Sequence, residues 1–269
     1  MSETSLSKVR QYPVSSQLLE PLWFRSRESF SKNGAVYDPI AASVCRTCEF
    51  VSQCSLERLN EKQRLYVTLT NIIDRHVTQF LTRYPDAVIL NVSAGLDTRF
   101  YRVDNGRCHW FEVDISEHLI LRQKLFHANE RYTNVTGSSD DLSWLSSLNI
   151  HYQTPLLILC EHALLEKDEQ ALSRFIRCVG LTFSHAHLCM VLAGDLCETK
   201  LGQKMGSESY QHALRDPQTA LYNVLPWAQD IQILSPLTQA CFYMQWWGKC
   251  MQYLPLKLRL TPFVATLNW

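Results

Sequence analysis

Between residues 56 and 83 the apolar positions Leu59, Leu65, Tyr66, Leu69, Ile72, Ile73, Val77, Phe80 and Leu81 recur with helical spacing. They predict one long helix with a single apolar stripe. A shorter amphipathic piece precedes it at residues 18–30. The period then changes. Residues 87–92 form a short, nearly continuous apolar run, as expected of a strand covered on both faces. Similar runs follow at 109–113, ending at Asp114, at 155–160, ending at Glu161, and at 187–192. Helical stretches at 116–129 and 168–179 separate them. Strands that alternate with helices predict a mainly parallel α/β sheet with helices on both faces. The aromatic segments 242–247 and 263–269 predict a closing antiparallel hairpin.

No repeat, low-complexity tract or linker interrupts the 269 residues, so the chain reads as a single domain. Within it, residues 1–83 form a helical cap, 84–194 the core, 195–226 a polar insertion and 227–269 the C-terminal strands. An insertion after a late strand predicts a lid or substrate wall, the alternative being a plain surface helix.

Lysine plus arginine and aspartate plus glutamate both number 26, so no basic excess points to nucleic acid or an anionic membrane. No apolar stretch is long enough to cross a bilayer, and the first residues lack the core of an export signal. The ten cysteines therefore read as thiols of a soluble cytoplasmic protein. Cys45 and Cys48, with Cys54 nearby, make half of a zinc signature; without a second pair, buried thiols and no metal are expected.

Ligands of open α/β sheets sit beyond the carboxyl ends of the strands. There this sequence has the turn Ser93-Ala94-Gly95-Leu96-Asp97-Thr98-Arg99, then Asp114, then Glu161. One aspartate at a strand end is an ordinary helix cap; three polar ends in succession point to a ligand. The turn carries one glycine where a dinucleotide fingerprint needs three, and Asp97 would repel a phosphate. That disfavours a nicotinamide oxidoreductase and suits a phosphate-free, cationic cofactor, S-adenosylmethionine. His162 is the candidate general base for a hydroxyl acceptor, its alternative being a buried histidine satisfied by backbone groups. A carboxylate acceptor would need no base.

The segments NVSAGLDTRFYRV and WFEVDI resemble the leucine carboxyl methyltransferase family, which includes tetracenomycin-type polyketide O-methyltransferases. Arg25-Ser26-Arg27-Glu28, residues 37–41, Asp141-Leu142 and residues 201–205 extend the resemblance over about residues 20–210. It implies a Rossmann-like class I methyltransferase that uses S-adenosylmethionine. The acceptor would be a carboxylate or hydroxyl of a small molecule or of a carrier- or peptide-linked acid. By the same resemblance Ser93, Ala94 and Gly95 approach the methionine part, Asp114 holds the ribose, and Asp141 with Leu142 reads the adenine. Glu161 lies near the methionine ammonium, and Arg25 or Arg27 reaches the cofactor carboxylate or the acceptor. Three positions depart from the family. Ser93 replaces a glycine, Glu166 a tyrosine, and Leu69 the arginine that clamps the carboxylate, with Arg64 and Arg75 as possible substitutes. These departures leave a second expectation, a decayed cofactor site on a protein that acts as a binding partner.

Overall fold

The computed structural model describes residues 14–239 and 256–269, apart from positions 49, 53 and 128. Three helices open the chain. α1 (Ser16–Ser29) is capped by the Ser15 hydroxyl, α2 (Pro39–Val44) by Asp38, and α3 (Leu56–Arg83) by Ser55. Each cap side chain accepts an orphan N–H of the first turn. Then β1 (Val88–Val92), α4 (Arg99–Val103), β2 (His109–Asp114), α5 (Ser116–Leu125), β3 (Tyr132–Thr136) and α6 (Trp144–Ser147) follow. The second half carries β4 (Leu156–Cys160), α7 (Glu169–Thr182), β5 (His187–Leu192), α8 (Lys200–Lys204), α9 (Pro217–Val224), β6 (Asp230–Leu234) and β7 (Phe263–Asn268).

Among the described residues the strands form one seven-stranded sheet in the order β3-β2-β1-β4-β5-β7-β6. β1 to β5 run parallel, and β7 lies antiparallel between β5 and β6. The continuous apolar runs have a direct cause. Val88, Leu90 and Val92 point to the face covered by Phe175 and Ile176 of α7, while Ile89 points to the face covered by Leu69, Ile72 and Ile73 of α3. With both faces buried, no polar alternation survives in the sequence.

Several expectations need correction. The run at 155–160 is the fourth strand, because the half-exposed edge strand β3 precedes it. α5 stops at Leu125 and not near 129, since Phe126 turns extended and sets its ring under the Arg122 guanidinium. β7 occupies the predicted C-terminal segment, but it pairs with β5 and β6; residues 242–247 lie outside the described residues. Of the insertion, α9 packs against β6 and α7, and residues 208–211 reach the cavity described below. Among the described residues no helix is long and apolar enough to cross a membrane.

Candidate active site

The strand order reverses between β1 and β4, which opens a crevice beyond their carboxyl ends. There the turn after β1 and the carboxylate ending β2 are tied together. Gly95 N–H donates to Asp114 Oδ2 at 2.6 Å, while Ile115 N–H donates to Oδ1 at 2.7 Å. His118 Nδ1 lies 2.9 Å from the same Oδ1. Beside this pair lies a cavity of about 430 Å³, lined by Ser93, Ala94, Gly95, Asp114, Glu161 and Arg25 among others. Gly95 has φ 55°, and a Cβ there would stand 3.1 Å from Leu18 Cδ2 of α1.

Ser93 adopts φ 52°, a left-handed conformation that costs a side-chain-bearing residue about 1–2 kcal/mol. Its hydroxyl accepts a hydrogen bond from Ser139 N–H at 3.0 Å, joining the β1 turn to the loop after β3. That loop forms a wall of the cavity through Ser138, Ser139 and Asp140. Asp141 and Leu142 are not brought to it. The exposed Asp141 carboxylate accepts from Ser143 N–H at 3.1 Å; the Ser143 hydroxyl and then this N–H lower its pKa, and Leu142 packs against the sheet core. Asp140 stands in their place, ion-paired to Lys167 at 2.5 Å. Two adjacent aspartates differ only in register, and no sequence signal separates them.

Beneath the cavity runs a buried charge network. Arg99, from the turn's own motif, donates to Asp74, Asp97 and Glu161, each at 2.7 Å. Thr70 donates to the other Glu161 oxygen at 3.0 Å. Burial pushes the Glu161 carboxyl up, but Arg99 and His162 outweigh it and hold the group below its usual range. Arg25 lines the cavity with its Nε on Asp38 at 2.9 Å and its Nη2 4.0 Å from Asp97. Arg27 does not share the cavity: it is exposed, bonded to Asn60 and stacked on Trp23. Leu69 is buried in the core between α3 and the sheet, while Arg64 and Arg75 are exposed and do not line the cavity.

A second cavity, of about 720 Å³, shares Gln17, Pro21, His162 and Glu166 with the first. His162 stacks on Tyr66 with centroids 4.8 Å apart. Burial lowers its pKa below the ordinary 6.5, which Glu161 opposes and Arg25 reinforces. Neither ring nitrogen has a hydrogen-bond partner among the described residues; Nε2 stands 3.4 Å from Glu161 Oε1 without hydrogen-bond geometry. The opposite wall holds Lys62, ion-paired to Glu20 and, at 2.9 Å, to Glu208, together with Tyr210. The sequence offered the insertion at 195–226 as a lid or substrate wall, and Glu208 to Gln211 of it line this cavity. The partners from α1 and α3 were missed; their one signal was Lys62, a charge in the buried stripe of α3 between Leu59 and Leu65.

The sheet order and its crevice define the Rossmann-like fold of class I methyltransferases. Two solved structures share it: a candidate methyltransferase of Thermobifida fusca (TM-score 0.58, 11% identity, 98% of this chain and 96% of that one) and a DUF574 family protein of Streptomyces avermitilis (TM-score 0.59, 8% identity, 92% and 96%). The leucine carboxyl methyltransferase family model matches residues 23–214, and the chain belongs to that family. It is also 26% identical over 174 residues to the tetracenomycin polyketide synthesis O-methyltransferase TcmP of Streptomyces glaucescens. That match spans 63% of each chain, so somewhat under two thirds of the relative's length.

Proposed function

We propose that the protein is an S-adenosylmethionine-dependent O-methyltransferase whose acceptor is a hydroxyl of a small molecule or of a carrier-linked group. The observation that carries this reading is the tie between the Gly95 turn and Asp114, set beside a cavity that meets a second one at His162. The residues fit the cofactor. Asp114 offers a fixed carboxylate to the ribose hydroxyls, the Gly95 turn allows close backbone approach, and Glu161 with Asp97 supplies negative charge for a cationic body. Ser138, Ser139 and Asp140 take the adenine side, and Arg25 is a cation of the cavity lining available to the carboxylate. When bound, the cofactor supplies an electrophilic methyl group on a sulfonium.

The protein's own work is alignment, exclusion of water and removal of one proton. His162, neutral near pH 7 and on the wall the two cavities share, is the group to take the proton from an acceptor hydroxyl, once its ring turns to bring a nitrogen, closed to solvent here, into the cavity. A carboxylate acceptor is disfavoured by charge. The second cavity holds Glu20, Glu166 and Glu208 against Lys62 alone, and Lys62 is already bound by two of them.

The decayed-site reading draws on Leu69, which leaves α3 without an arginine at the family's clamp position, and on Arg25, which is already engaged by two aspartates. Calorimetry with S-adenosylmethionine separates the two. Binding in the micromolar range is expected, weakened at least tenfold in Asp114→Ala, which deletes a charged acceptor worth about 1.5–3 kcal/mol. No heat and no thermal protection at saturating cofactor would establish the decayed site instead.

A further inference from the structure

We infer that Ser93 is a positioning residue for the adenosine half of the cofactor. Its hydroxyl holds the loop after β3 against the β1 turn and so sets the width of the first cavity at its adenine end. The role rests on the reading of that cavity as the cofactor site. At φ 52° the Ser93 backbone lies in the left-handed region, which glycine enters without strain and serine does not. A glycine would trace the same path more easily, as Gly95 does two residues on at φ 55°. What the serine adds is its hydroxyl. That group accepts from Ser139 N–H at 3.0 Å and donates toward Ser139 Oγ at 3.5 Å, so a lone pair and its proton both face the loop.

The loop's other ties run elsewhere. Gly137 N–H donates to Asp114 O at 3.0 Å, Trp144 Nε1 to Ser138 O at 2.9 Å, and Arg174 of α7 to Asp140 O at 3.2 Å. The Asp140 carboxylate pairs with Lys167. Ser139, buried in the middle of the loop, is joined to the β1 turn by Ser93. Ser93, Gly95, Asp114, Ser138 and Ser139 all line the first cavity. The hydrogen bond therefore bridges the wall that would take the ribose and the wall that would take the adenine. A gap wider by about 0.5–1 Å forfeits a quarter to a half of the dispersion contact on one side of a planar base.

Two variants of the full chain test this. Ser93→Gly and Ser93→Ala both delete the hydroxyl, but only glycine relieves the backbone, so the alanine variant should melt about 2–4 °C below the glycine one. Affinity should ignore that difference. Calorimetry is run with S-adenosylhomocysteine and with 5′-methylthioadenosine, which lacks the amino-acid end. Each ligand is expected to weaken about fivefold in both variants, the worth of one neutral hydrogen bond. Hydrogen exchange at residues 138–141 of the ligand-free variants should quicken. Affinities that follow the melting temperatures, or unchanged exchange in the loop, would overturn the inference. So would a loss confined to S-adenosylhomocysteine, which would put Ser93 on the methionine part instead. Unaltered affinity for both ligands ends this role and leaves the cofactor reading standing. A parent chain that binds S-adenosylhomocysteine but not methylthioadenosine does the same, whereas one that binds neither ends both.

Discussion

His162 combines a lowered pKa, two ring nitrogens without a partner among the described residues and a place between two cavities. If it takes the acceptor's proton, the protonated ring is inert, so the rate of transfer must rise with pH through a value below 6.5 and then level off. His162→Asn should slow transfer by about 10²-fold or more and abolish that acid limb, while cofactor affinity falls far less. A pH–rate profile of both proteins checks this. Asp114 and the turn before it were legible in the sequence because three polar strand ends follow one another; any one alone would have read as a helix cap. The Ser93 hydroxyl was not, since its partner, Ser139, lies on a loop that only the fold brings near.

Among the elements, β1, β2, β4 and β5 were readable as apolar runs because helices cover both of their faces. The outer strands β3 and β6 lie half exposed and mix polar with apolar positions, so the same signal fails there. The second cavity's wall was legible only on its insertion side, because it joins residues of α1, α3 and the insertion that are distant in the chain. Lys62 fastens the three together through Glu20 and Glu208. Lys62→Met should leave those two carboxylates facing each other. With Glu208 partly exposed, the loss comes to about 2 kcal/mol, less than for a fully buried pair. Hydrogen exchange at residues 208–211 is expected to quicken, which mass spectrometry can follow.

For the molecule as a whole, Glu112 makes stability respond to pH. Burial pushes its carboxyl up from 4.5 to about 7, and Arg122, 3.0 Å away, offsets only part of this. The folded protein therefore keeps a proton that the unfolded chain releases near 4.5. The stability this brings is complete below that value and is lost as pH climbs to about 7. Glu112→Gln stays neutral throughout, so its stability relative to the parent should grow from pH 5 to about 7 and stay level beyond. Urea titrations at a series of pH values measure this.

The placing of β7 also governs how the chain can be assembled. Among the described residues β6 meets the rest of the sheet only through β7, a strand made of residues 263–268. During synthesis β5 therefore emerges without its β7 partner and waits for it until residues 263–268 have been made. An unpaired strand edge is a template for neighbouring chains on a crowded polysome. A stop codon at position 263 should send the product into the pellet of a lysate, even though every side chain of both cavities is still encoded.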